Sequence, residues 1–364
     1  MDLSAIQRVL WHLPLLSALL LTACGEVDVC NHVACGRACG TQDAGGCLQP
    51  TDTCWCGYCI PSECTGDLSQ IISDYDLEQG IRYLVNRPEG ILRYEHVWQL
   101  ESAILYHEPS NYEAHITKNL EGIQCLTALE ELDLSHNSLD DLGPLGELYY
   151  LVRLKLVSAV GNNIGALAEV ERLRELDLSE NGIDDISPLA GLTELRDLDL
   201  ADNDVTDVGP LAALTELRRL DLWHCDIADI APLASLVKLE ELELMSRATT
   251  DLGPLADMRY MRKLVLTPSE VDDIQVLAGM PLLEHLDLKH APVEDLSPLR
   301  DLVYLNYIDL SRSDVHDLTP LVENPGLGEG DRVVLYRIPI DCQAQAANIQ
   351  ALQDRGVEVW MSCN

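Results

Sequence analysis

Apolar residues recur along most of this chain at one fixed interval. At the fourth position of each unit stand Leu132, Leu154, Leu176, Leu198, Leu220, Leu242, Leu264, Leu286 and Ile308, each 22 residues after the last. Nine such units run from Leu129 to Gly326 without insertion or deletion, and nearly all open Leu-x-x-Leu-x-Leu. A unit this short cannot bury its apolar edge alone, so neighbours must stack into a solenoid. Positions 3 to 7 alternate as a short strand does, with 4 and 6 directed inward and 3, 5 and 7 outward.

The remaining positions have separate tasks. Position 9 is Asn137, Asn181 and Asn203 in three units and Cys225 in a fourth. A buried amide there can satisfy backbone groups left open where the chain turns out of the strand. Cys225 then reads as a small buried replacement and not as a reactive thiol. Position 13 is Asp in eight units, from Asp141 to Asp317, with Asn163 in the other. Pro follows three residues later in most units, as at Pro188, Pro210 and Pro232. That arrangement caps a short helical turn on the outer side, and it is preferred over a calcium site. The second, sixth and seventh units depart most, with Arg247 and Ser269 standing where Asn is expected in the last two.

These units, best seen in LRELDLSENGIDDISPLAGLTE (Leu173 to Glu194), resemble bacterial leucine-rich repeats of the short, internalin-like type. The resemblance implies an α/β repeat solenoid, a right-handed superhelix with a parallel β-sheet on its concave wall. The convex side would consist of short 3-10 helices and turns.

A solenoid needs covers for its ends. Residues 66–128 form the expected N-terminal cap, with an amphipathic helix over Leu77 to Leu84 and a half-repeat over Ile116 to Ile123. Residues 327–364 form the C-terminal cap, with strands at Val333 to Leu335 and Val357 to Trp360 around a helix over Gln343 to Arg355, stopped by Gly356. This ending resembles the disulfide-closed cap of secreted bacterial leucine-rich-repeat proteins, which implies a bond between Cys342 and Cys363.

Composition narrows the function. The net charge of −37 excludes nucleic acid as a partner, because phosphates need a basic surface. It also opposes adsorption to anionic lipid. Solubility alone accounts for such a charge; beyond that it points to a cationic partner. The cysteines are uneven, with eight of the 13 at Cys30, Cys35, Cys39, Cys47, Cys54, Cys56, Cys59 and Cys64. A segment so poor in large apolar residues needs staples, although the Cys54 to Cys56 and Cys56 to Cys59 spacings also suit zinc.

The N-terminus decides between them. Residues 1–23 hold one Arg8, offset by Asp2, and an apolar run from Leu13 to Leu21 that is the length of a signal-peptide core. Leu21-Thr22-Ala23-Cys24 resembles the lipobox of bacterial lipoproteins. That resemblance implies cleavage before Cys24, a lipid on its thiol and attachment to the envelope, and Gly25 favours the outer membrane by the sorting rule of enteric bacteria. An ordinary secretory signal is the alternative. Either address is oxidising, so the eight cysteines from Cys30 to Cys64, within segment 24–65, are expected to form four disulfides of open connectivity. Cys125 and Cys225 remain as free, packed thiols.

No catalytic motif, phosphate-binding loop or metal pair is found, so neither enzyme activity nor a cofactor is expected. His136, His224 and His290 share position 8 but lie too far apart in a solenoid to meet on one metal. The informative surface is the concave one. Position 5 carries a self-repelling column that includes Asp199, Asp221 and Glu243, and position 2 supplies Arg174, Arg196 and Arg218. Mutual neutralisation of these charges across strands is an equal expectation. An exposed Trp223, with His224 adjacent and Met245 one unit on, has the character of an interaction hot spot. The expected function is a non-enzymatic module gripping a protein or peptide partner on the concave face. A structural or self-associating envelope protein is the alternative.

Overall fold

The structure is a computed structural model and describes residues 53–55, 58–60, 62–106, 116–245 and 248–362. The expected lipidation site Cys24, the cysteines from Cys30 to Cys47, Cys56 and Cys363 lie outside the described residues. The chain divides into two compact units, Met1–Ser62 and Glu63–Asn364. The first contains an antiparallel hairpin of β1 (Thr53–Trp55) and β2 (Tyr58–Ile60), in which Cys54 stands opposite Cys59.

The second unit is a leucine-rich-repeat solenoid built on one parallel sheet of 12 described strands, whose order along the sheet follows the chain. The repeats supply β4 to β12: Glu131–Asp133, Arg153–Lys155, Glu175–Asp177, Asp197–Asp199, Arg219–Leu222, Glu241–Leu244, Lys263–Leu266, His285–Asp287 and Tyr307–Asp309. Their register keeps position 4 in line, with Leu176 paired to Leu198 and Leu198 to Leu220. Leu198 and Leu200 are buried while Asp199 between them is only half-buried, as strand alternation requires.

Between strands the chain makes short 3-10 helices such as Ser187–Gly191 and Gly209–Ala213. The position-13 carboxylates stand one residue before the N-cap, not at it as expected, and bond the first helical N–H. Asp185 and Asp207 accept the backbone N–H of Ser187 and Gly209 at 2.8 and 2.7 Å.

The position-9 amides stitch adjacent coils. Asn203 donates to the carbonyls of Leu200 and Leu178, both at 2.9 Å, and its Oδ1 accepts the N–H of Ile183 at 2.9 Å. Asn181 repeats this one coil earlier. Cys225 holds the same place, with its thiol donating to the Leu200 carbonyl at 3.3 Å. Burial pushes that thiol up to about 11, so it is inert at neutral pH. The buried hydroxyls of Ser269 and Ser313, at this position in the seventh and ninth units, are too short to copy the amide. They find no hydrogen-bond partner among the described residues, at a cost of about 1–3 kcal/mol each.

The N-terminal cap differs from expectation in two respects. A strand, β3 (Ser102–Ile104), extends the sheet by pairing with β4. It stands 29 residues before its partner and not 22, which hides it from the repeat register. Second, Cys125 is not free. It is disulfide-bonded to Cys64, with Cα atoms 5.5 Å apart. The 3-10 turns Ser62–Thr65 and Ile123–Cys125 bring the two thiols together across 61 residues of chain, a distance no local spacing can signal. Helix α1 (Tyr75–Leu84) is capped by Asp74, which accepts the N–H of Asp76 and Leu77, each at 3.0 Å. The other oxygen of that carboxylate accepts from Lys118 and Asn119, tying the helix to the half-repeat.

At the far end, β13 (Arg332–Leu335) and β14 (Glu358–Met361) complete the sheet. The helix between them, Ala346–Asp354, is shorter than expected because residues 342–345 form a turn. Cys342 is disulfide-bonded.

Candidate functional site

The repeat strands present positions 3 and 5 on the concave face of the sheet, and position 7 lies just past each strand. Across β5 to β9 this face forms a groove of about 270 Å³. Seven carboxylates line it (Glu175, Asp177, Asp197, Asp199, Asp221, Glu241 and Glu243) against the cations Arg153, Lys155 and Arg219. Successive strands lie about 4.8 Å apart, so the position-5 carboxylates are close neighbours.

The position-5 aspartates do structural work with one oxygen. Asp199 accepts the N–H of Ala201 at 2.9 Å and Asp221 that of Trp223 at 2.8 Å, closing the turn that leaves each strand. Even so, both carboxyls lie above the usual range. Burial is the largest cause, and neighbouring carboxylates add to it: Asp177 and Glu243 for Asp199, and Asp199 and Glu243 for Asp221. Asp221 is pushed up to about 6.

Cross-strand neutralisation occurs, but mainly in other columns. Arg219 pairs with Asp197 and Arg153 with Glu131, all at position 3. Arg174 reaches Glu194 and Arg218 reaches Glu240 at the strand entrance, at 3.2 and 2.8 Å. Arg196 is exposed and forms no ion pair among the described residues. At position 5 the single cross-strand pair among the described residues is Lys263 to Glu243, at 2.6 Å. Asp199 and Asp221 therefore form no ion pair of their own, and the repulsion on Asp221 is offset only in part, by Lys263.

The expected aromatic patch is less open than its sequence position implies. Trp223 and Met245 are half-buried, and neither lines the groove. Both sit two residues past the position-5 column, where the chain has begun to turn over the core. His224 is exposed, tilted against the Trp223 ring at 5.6 Å, and its Nδ1 meets the carboxylate of Asp202 one coil earlier. Among the described residues no cluster of His, Cys, Asp and Glu could hold a metal ion, and no helix is long and apolar enough to cross a membrane.

The sequence reading missed a second feature of this face, in the last coils. His285 and Tyr307 stack with ring centres 4.3 Å apart and planes within 5°. Arg332 lies over the Trp360 ring at 4.1 Å and is held there by Glu358 at 3.0 Å. The signal was present in position 3 of units eight and nine, but Trp360 belongs to the cap strand, beyond the 22-residue register.

Models of the leucine-rich repeat match residues 128–148 and, in two copies, residues 171–213. Among solved structures, an internalin (inlF) from Listeria monocytogenes is similar over 82% of this chain and 93% of its own, at 24% identity and a TM-score of 0.72. Internalin C2 from the same organism is similar over 67% of this chain and 96% of its own, at 27% identity and a TM-score of 0.53. No curated protein matches the chain significantly.

Proposed function

We propose that this protein is a non-enzymatic interaction module, held at the bacterial cell envelope by a lipid on Cys24. In this reading its concave face grips a protein or peptide segment that carries basic residues. The observation that carries it is the carboxylate-rich groove in which neighbouring Asp199 and Asp221 have no ion-pair partner among the described residues. Like charges held this way raise the free energy of the folded chain, and the scaffold alone gains nothing from them. A cationic segment laid along the groove would supply the missing counter-charge. The leucine-rich repeats and the internalin-like solenoid support an interaction role in general, since curved arrays present an extended surface to partners.

Pull-down from envelope extracts of the native host tests this reading. Asp199→Asn with Asp221→Asn should weaken partner capture and reduce its sensitivity to salt. Trp223→Ala, at a half-buried residue outside the groove lining, should weaken capture less than the two asparagine substitutions do. Recovery of the same proteins at the same salt dependence by all three forms would rule out the concave groove as the contact surface.

A further inference from the structure

The carboxylates of the groove are held at a fixed interval. At position 5, Asp177, Asp199 and Asp221 stand on adjacent strands in direct register. Each is half-buried, and each commits one oxygen to the turn that leaves its strand. Asp177 accepts the Ser179 N–H at 3.1 Å, as Asp199 does that of Ala201 and Asp221 that of Trp223. These bonds keep the three groups at the strand interval of about 4.8 Å, so the run spans about 10 Å. It cannot slide to suit a ligand of another spacing.

The run also has defined ends. On one side Lys155 continues the column on β5, where it is exposed and forms no ion pair among the described residues. On the other, Glu243 is already bound to Lys263 at 2.6 Å, and Val265 beyond it is buried. Asp287 and Asp309 resume the column only past Val265, and Asp309 is itself buried. The flanking position-3 column offers no second acidic stripe, because Arg153, Arg219 and Lys263 are interspersed there with Glu175, Asp197 and Glu241. Position 7 on the other flank is Ser179, Ala201 and Trp223, all uncharged. A ligand therefore meets one file of charges, three anions followed by a cation.

Backbone conformations differ in how well they match such a file. An α-helix brings successive turns of one face into line about 5.4 Å apart. That is within about 1 Å of the strand interval, a difference that a flexible lysine stem absorbs. An extended strand sets every second side chain on one face, about 6.8 Å apart, so its third residue is about 4 Å out of step. A polyproline-type segment repeats a face only at about 9 Å. We propose that the groove selects a basic α-helix laid across the strands, with a stripe of three cationic residues on Asp177, Asp199 and Asp221. An acidic residue one turn beyond the stripe would meet Lys155. In sequence the cations stand at i, i+4 and i+7 and the acid at i+11, or the same order reversed. This rests on the reading that the groove takes a basic segment, and it deepens that reading by fixing the segment's conformation and register.

The test uses the full chain and fluorescence anisotropy at low salt, with labelled Ala-rich peptides held helical by a hydrocarbon staple. Two carry three lysines and one glutamate in the stripe order, one in each chain direction. A third has the same composition with its charges distributed around the helix, and a fourth is an unstapled, Gly-rich version of the stripe. An oligolysine probes charge alone. One stripe peptide should bind about ten-fold or more tightly than the distributed and Gly-rich forms. Asp199→Asn with Asp221→Asn should abolish that preference. Lys155→Glu should weaken the stripe peptide, and replacing the peptide's glutamate by lysine should restore its affinity for that variant. Circular dichroism on each variant confirms that the solenoid is intact. Equal binding of the stripe, distributed and Gly-rich peptides overturns the helix, and a Lys155→Glu variant indifferent to the peptide's charge swap overturns the register. In either case a basic ligand is still bound, so the basic-segment reading stands. If neither the peptides nor oligolysine bind, that reading falls and the helix with it.

Discussion

In the proposed reading Asp221 serves binding at the expense of stability. Its carboxyl is pushed up to about 6 by burial and by Asp199 and Glu243. The folded chain therefore holds this proton more tightly than the unfolded chain, whose aspartates titrate near about 4. Stability should rise as pH falls from about 6 toward about 4, and above about 6 the penalty is complete. Asp221→Asn keeps an oxygen for the Trp223 N–H but removes the charge. At neutral pH it should stabilise the fold, by on the order of 1 kcal/mol for a carboxylate partly screened by water. It should also flatten the pH profile in that window while weakening capture of a basic ligand. Urea melts of the two forms at pH 7 and pH 5 check this. A variant less stable than wild type at pH 7 would show that the column is already neutralised.

On the scale of one strand, alternation ranks substitutions that adjoin in sequence. Leu198 is 2% exposed and packs into the Leu176–Leu198–Leu220 row. Leu198→Asp puts an unpaired carboxylate there and should cost about 4 kcal/mol or more. Asp199→Ala removes one turn-closing hydrogen bond at 2.9 Å but also relieves repulsion, so its net effect should stay within about 1 kcal/mol. Thermal melts of the two variants separate them, and comparable losses would mean that the strand register is wrong. The same period that makes this ranking possible made the fold legible. Any position repeated every 22 residues, from the inner leucines to the capping aspartates, could be assigned from spacing alone. Outside the period legibility was partial. The cap helix over Leu77 to Leu84 and the strands at Val333 to Leu335 and Val357 to Trp360 could be read locally. The strand β3, at a different interval, could not, nor could the place of Trp360 on the concave face. Trp223 was legible as a position but not as an environment. Burial at position 7 depends on the chain turning over the core, which side-chain alternation does not encode.

For the molecule as a whole, the cysteines give a parity argument that the array cannot. Cys64 is bonded to Cys125, Cys225 is free and buried, and Cys342 is in a disulfide. Of 13 cysteines, removing these four and one partner for Cys342 leaves eight, and the eight include Cys24. The closed count expected from sequence, with Cys24 lipidated and every cysteine from Cys30 to Cys64 paired within its own segment, no longer balances. If Cys24 carries a lipid, seven cysteines remain, an odd number, and one thiol besides Cys225 must be free or bonded to another molecule. If Cys24 is not acylated, all eight can pair and Cys225 is the one free thiol. We expect the first outcome, because Cys24 sits in a lipobox-like context. Denaturing alkylation without reduction should then label two thiols on the monomer, or one on a disulfide-linked dimer, alongside a lipid-sized mass increment on the N-terminal peptide. A single labelled thiol on an unacylated monomer would mean that Cys24 belongs to the disulfide set, and envelope attachment through that residue would be excluded.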